Sequence, residues 1–177
     1  MHTLRSINAM SEDEFLQVFG GVYESSIWAA KAVFQKAPFT SAQALVSAFQ
    51  RVVDLAPVGM QEQLILAHPD LAGKLARAGG LTPESTHEQS RLGLDQLSDA
   101  EYAEFDQMNR TYRERFHFPF IICVGLLQNR SQVLTAFHTR IVNSHEAERH
   151  AALHQIHLIA SLRLSALVEG LPPPTLA

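Results

Sequence analysis

Phe118-Pro119-Phe120-Ile121-Ile122-Cys123-Val124 is the one stretch of this 177-residue chain with a serious claim to be a β-strand. An apolar run this short suits a buried strand or a buried helix equally well, so its surroundings must decide. No second segment sustains period-two alternation, and neither Asn-Gly nor Asp-Gly occurs to close a hairpin. A lone strand leaves its ladder groups unpaired. The stretch therefore reads as a turn leading into a buried helix, and the chain as all-α, a single-domain helical bundle of about seven to nine helices.

Helix punctuation supports that reading on both sides. Ser11 with Glu14, and Ser98 with Glu101, have the spacing of capping boxes, in which serine accepts from a backbone N–H and glutamate reaches back to the cap. Apolar residues at 44, 45, 48, 49, 52 and 53 follow the helical period from a Ser41 cap and stop before Pro57. A long final helix is expected from Ser144 to Glu169, with Gly170 and Pro172 as its stop. Without an internal repeat or linker, residues 1–170 read as one helical domain and 171–177 as a proline-rich tail.

Composition bounds the function. With 46% hydrophobic and 18% charged residues the chain is globular, and 177 residues suffice for a continuous core. A net charge of −4 provides no overall basic field for a polyanion, which argues against a nucleic-acid partner. The single cysteine, Cys123, has no internal disulfide partner and sits in an apolar run, where it reads as a small buried hydrophobe. There is no secretory signal core, no transit pattern and no apolar run of membrane-spanning length, so a cytoplasmic protein with no membrane partner is expected. The ending Thr175-Leu176-Ala177 is not a peroxisomal address.

Reactive side chains concentrate in the middle of the chain. His68 precedes Pro69, which disfavours helical backbone at the histidine and puts it where a helix stops. If Thr82 caps a helix that opens with Pro83, then Ser85, Glu88 and Gln89 at i, i+3 and i+4 share one face. Alone, such a stripe is as well explained by a solvated face, and His-Pro by a helix end. Farther on, Arg163 falls among Ile156, Ile159, Ala160 and Leu167, all within about 60° at roughly 100° per residue. An unpaired buried charge costs several kcal/mol, so this guanidinium must snorkel outward, pair with a carboxylate such as Glu88, or await an anionic ligand. His150 and His154 have the i,i+4 spacing of a zinc pair, with His157 and Glu146 nearby. Their stripe is displaced from the arc centred on Arg163 and reads as a wet helix face, so no metal site is assigned.

Four blocks taken together resemble a known family. His68-Pro69-Asp70-Leu71-Ala72-Gly73, the run from Ser85 to Gln89, Phe118-Pro119-Phe120-Ile121-Ile122 and Leu162-Arg163-Leu164 resemble, in that order, the 2-oxo-4-hydroxy-4-carboxy-5-ureidoimidazoline (OHCU) decarboxylases of urate breakdown. Glu88 and Gln89 fall 20 and 21 residues after His68, as the resemblance requires. It implies a decarboxylase that releases carbon dioxide and yields (S)-allantoin, with no cofactor, acting as a homodimer on a small carboxylate-bearing heterocycle. It implies His68, Glu88 and Arg163 as catalytic residues. Pro69, Ser85, Thr86, His87, Gln89 and Phe120, Ile121, Ile122, Cys123 and Val124 would line the substrate pocket together with Glu88 and Arg163. Two positions depart from the family's usual pattern: Leu92 stands where a small residue commonly precedes Gly93, and His117 where a glycine commonly precedes Phe118. Two other classes remain open from the residues alone: a non-catalytic helical module that binds a ligand or peptide, and a phosphotransfer bundle, which His68 before a proline fits poorly.

Overall fold

The computed structural model describes residues 1–72, 86, 88, 90, 92–94 and 96–175. Among these lie eight α-helices: α1 Leu4–Asn8, α2 Glu12–Phe19, α3 Ile27–Phe34, α4 Ala42–Asp54, α5 Val58–Leu66, α6 Asp99–Phe116, α7 Arg130–Arg140 and α8 His145–Leu167. One 3-10 turn, Val124–Leu126, precedes α7, and the described residues contain no β-strand. Thr86, Glu88 and Ser90 are helical, whereas the Thr82 cap, Pro83, Ser85, His87 and Gln89 lie outside the described residues. No described helix is long and apolar enough to cross a membrane.

The helix starts follow the sequence closely. Both capping boxes form, with Ser11 and Glu14 opening α2 and Ser98 and Glu101 opening α6. Ser41 caps α4 by accepting from the Ala44 N–H at 3.0 Å. A third box, Asn129 with Gln132, opens α7. Capping satisfies donors that the first turn cannot pair internally, and each cap contributes about 1 kcal/mol.

The chain forms two compact units, residues 1–67 with 157–177 and residues 68–156. The first is built around phenylalanine: Phe15 meets Phe19 at 4.7 Å, Phe34 at 5.5 Å and Phe49 at 6.4 Å between ring centroids. Helix α3 packs against α2 and α4. Val33, Leu45, Val53, Leu64 and Val168 are enclosed completely. His2 is tied to the end of α8 through its N–H to Leu167 O at 2.7 Å and its carbonyl from the Glu169 N–H at 3.0 Å. Beyond Gly170, at φ +74, Leu171 is still buried before the prolines begin.

The second unit has its own aromatic centre on α6. Tyr112 packs on Phe116 at 4.6 Å and edge-on to Phe120 at 5.1 Å, and Phe120 meets Phe137 of α7 at 5.8 Å. Edge-to-face pairs of this kind contribute about 0.5–1.5 kcal/mol each beyond area burial. The stretch 118–124 differs from its expected form. It does not turn into a helix but runs as buried irregular backbone into the 3-10 turn. Pro119 removes one donor and fixes φ, while Arg140 and Gln155 take up main-chain groups that a helix would have paired internally. Cys123 is buried and forms no disulfide, as its apolar setting predicts.

Candidate active site

Helix α5 ends at Leu66 with Ala67 as its C-cap, and His68 follows in non-helical backbone with only 7% of its surface exposed. The ring is enclosed by tertiary packing rather than by a helix face. Two residues of α6 hold the loop beyond it. Asn109 donates from Nδ2 to Leu71 O at 2.9 Å, and Arg113 donates from Nε to Asp70 Oδ1 at 2.8 Å. Ala72 adopts a left-handed φ of +51 in this loop.

The same face of α6 supports the block at 118–124. Asn109, Tyr112 and Arg113 stand at i, i+3 and i+4, so they share one side of the helix. Tyr112 is fully buried against Phe118 and Phe120. Thus α6 meets both the loop after His68 and the aromatic end of 118–124. Pro69 is half-buried, while Phe120, Ile121, Ile122, Cys123 and Val124 are all buried.

The turn after the Glu88 segment is fixed from α7. Arg130 donates to Leu92 O at 2.9 Å and Gly93 O at 2.8 Å, and reaches Glu101 Oε1 at 2.8 Å. Gly93 has φ +63, and a Cβ there would stand 2.7 Å from Arg130 Nη2, so any other residue would be strained and would displace the guanidinium. Leu92, which departs from the family pattern, contributes its carbonyl and leaves the turn intact. Glu88 is half-buried and Thr86 exposed.

Behind this site lies a buried network that sequence reasoning missed. Glu148 of α8 is completely enclosed, and Arg140 donates to it from Nε at 2.9 Å and also from Nη2. Asn143 Nδ2 donates to its other oxygen at 2.7 Å, and the Tyr112 hydroxyl donates as well. Burial drives the Tyr112 pKa well above its ordinary value, so the hydroxyl stays protonated and donates.

Arg163 belongs to the other compact unit, where its partner is identified. It donates from Nη1 to Glu24 Oε2 at 3.0 Å and to Gly21 O at 3.1 Å, with both side chains of the ion pair almost fully buried. Of the alternatives open from sequence, pairing with a carboxylate holds, and that carboxylate is Glu24. The histidine stripe also needs one correction: His150 and His154 are exposed, but His157 is not on a wet face. Its Nδ1 meets the Tyr23 hydroxyl at 2.7 Å and its Nε2 meets Asp54 at 3.0 Å. A groove of about 980 Å³ in this unit, lined by Trp28, Phe39, Arg51, Val52 and Met60 among others, contains none of the catalytic or substrate-lining residues expected from the sequence.

The fold and this arrangement define an all-α protein whose candidate site is built from the segments between helices and held by polar side chains of the helices behind them. The family model for OHCU decarboxylase matches residues 8–165, and the chain belongs to that family. It is 39% identical to an OHCU decarboxylase of Haloferax volcanii, covering 92% of this chain and 94% of that one. It is 35% identical to the OHCU decarboxylase of Amia calva, covering 94% of each. Among solved structures, the fold is similar to (S)-allantoin synthase, with a TM-score of 0.74 and 27% identity over 95% of this chain. The chain spans 55% of the length of that protein.

Proposed function

We propose that the protein decarboxylates OHCU to (S)-allantoin and carbon dioxide in urate breakdown, using residues 1–170 as one functional domain. The observation that carries the proposal is the family match over residues 8–165, a range that includes all four blocks.

In the reaction, the bond from the hydroxyl-bearing ring carbon to its carboxylate breaks. The electron pair forms a double bond to the neighbouring ring carbon, that carbon's double bond to nitrogen opens onto the nitrogen, which takes up a proton, and carbon dioxide leaves. That neighbouring carbon then gains a proton on one face while the hydroxyl gives up its proton to become the ring carbonyl. The substrate is its own electron sink, so the proposal includes no cofactor and no metal. What the protein must supply is binding, orientation and proton transfer.

His68 is the proposed proton-transfer residue, because an imidazole titrates near neutrality and can act as acid or base. Glu88 orients it or bonds the substrate hydroxyl. Ser85 and Gln89 supply neutral donors and acceptors, flanked by Thr86 and His87. Arg163 offers a planar fork to a carboxylate or urea-type carbonyl, with Glu24 setting the orientation of the guanidinium. Pro69 and the main chain of Phe120 to Val124 complete the lining. Homodimerisation, on the strength of the family resemblance, and a cytoplasmic location, as expected from the sequence, are part of the same proposal.

Coupled oxidation of urate with and without the protein tests it by circular dichroism of the allantoin. Acceleration with an optically active (S) product is expected. Racemic product at the spontaneous rate overturns the proposal.

A further inference from the structure

We infer that Arg140 and Gln155 are positioning residues that aim the main chain of Ile121 to Cys123 at the substrate; the inference rests on reading this segment as pocket lining. Buried peptide groups need partners, and the segment is buried throughout, with Ile121 4% and Ile122 8% exposed. Arg140 Nη1 donates to Ile121 O at 2.6 Å. The Cys123 N–H donates to Gln155 Oε1 at 2.9 Å, and Ile122 O accepts from the Val124 N–H at 2.9 Å. Among the described residues, the N–H of Ile122 has no hydrogen-bond acceptor.

The bond between Ile121 and Ile122 is trans, so the carbonyl of Ile121 and the N–H of Ile122 point in opposite directions in one rigid plane. Fixing that carbonyl on Arg140 directs the N–H away from Arg140. A cation on the carbonyl also polarises the amide and strengthens its N–H as a donor. The next peptide is fixed independently, by Gln155 at its N–H and by Val124 at its carbonyl. Arg140 is itself immobilised: Glu148 engages Nε and Nη2, and the guanidinium lies 4.6 Å over the Phe120 ring. The result is an oriented N–H donor for an oxygen or nitrogen acceptor of the substrate, such as its carboxylate or a urea-type carbonyl.

Neither residue belongs to the four blocks, and neither is assigned contact with substrate. Gln155→Leu removes the acceptor from the Cys123 N–H at similar volume, whereas Gln155→Glu retains one. With OHCU generated in situ, Gln155→Leu should lower kcat/KM about tenfold, mostly through KM, and Gln155→Glu should stay within about threefold of the parent. Arg140→Lys keeps a positive charge beside Glu148 but cannot span Glu148 and Ile121 O together, and should show the same KM-led loss. As a readout independent of turnover, the Ile122 amide resonance should move when (S)-allantoin is added to the parent and stay in place in Gln155→Leu. An active parent with an indifferent Gln155→Leu, or equal losses in Gln155→Leu and Gln155→Glu, overturns this inference alone. A parent that leaves OHCU decay unchanged removes the decarboxylase reading and this inference with it.

Discussion

The two compact units use the same devices to different ends. Each contains a capping box, an arginine–glutamate pair almost free of solvent, and a histidine enclosed by packing. In the first unit these groups close mainly on one another: Tyr23, His157 and Asp54 form a chain, and Glu24 takes Arg163, which also donates to Gly21 O. In the second they reach out to irregular backbone. Asn109 takes the carbonyl of Leu71, Arg130 takes the carbonyls of Leu92 and Gly93, and Arg140 takes the carbonyl of Ile121. The difference teaches that a polar group's role is set by what lies at its far end: side chain to side chain fastens a core, and side chain to loop backbone shapes a site.

The sharpest way to break this comparison is to exchange the histidines for asparagine. His68→Asn removes the imidazole, so turnover should fall by about two to four orders of magnitude if proton transfer is its role. His157→Asn disturbs the contacts to Tyr23 and Asp54 and should cost about 1–2 kcal/mol of stability with little change in turnover of the folded protein. His154→Asn, on an exposed position, should do almost nothing. Kinetics and thermal melts on the three variants decide it, and equal kinetic losses at His68 and His157 would erase the distinction between the units.

Next in size are the arginine pairs. Arg163→Met takes the guanidinium from Glu24, and Arg140→Met takes it from Glu148; breaking a buried pair from one side costs about 3–5 kcal/mol. Replacing both partners separates fold from function. Arg163→Met with Glu24→Gln should recover most of the stability without recovering substrate binding, if the guanidinium also anchors the ligand. Denaturant unfolding and KM measured on the same proteins provide the test. A double variant that regains affinity along with stability would reduce Arg163 to a core fastener.

Much of the fold was legible because capping and periodicity are local. Ser11, Ser41 and Ser98 announce their helices within four residues, and each helix begins where its cap predicts. The polar network was not legible, because its partners are distant in sequence. Arg140 meets Ile121 across 19 residues and Tyr112 meets Glu148 across 36. The helical spacing that singles out Arg163 applies to Glu148 as well, since it precedes Ala152 and Ile156 at i+4 and i+8 on one buried stripe. Its signal is diluted by His145, Glu146, Arg149 and His150, which make that turn read as solvated. The form of 118–124 was hidden for a related reason: local rules offer strand or helix, and the segment is neither because side chains from α7 and α8 satisfy its backbone.

The capping boxes offer a smaller test. Glu14 and Glu101 both have pKa values below the ordinary carboxylate value, chiefly through hydrogen bonds from Ser11 and Ser98 respectively, and Glu101 is further favoured by Arg130. A depressed folded-state pKa contributes stability that is present above the unfolded value and lost as pH falls through the folded one. Melting temperature should therefore decline as pH drops below about 4.5, the ordinary value. Glu101→Gln should blunt that decline more than Glu14→Gln, because only Glu101 also pairs with an arginine that holds the Leu92–Gly93 turn. Melts of the three proteins from about pH 6 to about pH 3 check it, and identical acid profiles for the two variants would remove the Arg130 contribution.

The smallest expected effect concerns His117, which ends α6 at φ +62 and ψ 15. A left-handed conformation costs a residue with a Cβ about 1–2 kcal/mol, while glycine's greater freedom in the unfolded chain costs it about 0.5–1 kcal/mol. The balance favours glycine slightly, which accounts physically for the glycine common in the family at this point. His117 is exposed, and its N–H, which any residue but proline supplies, closes the helix on Arg113 O at 2.9 Å. His117→Gly should therefore raise stability by about 0.5 kcal/mol and leave turnover within about twofold of the parent value, because the Phe118 and Phe120 contacts with Tyr112 do not involve the imidazole. A loss of stability on this change would mean that the histidine ring, rather than the backbone turn, fixes the entry of the chain into the site.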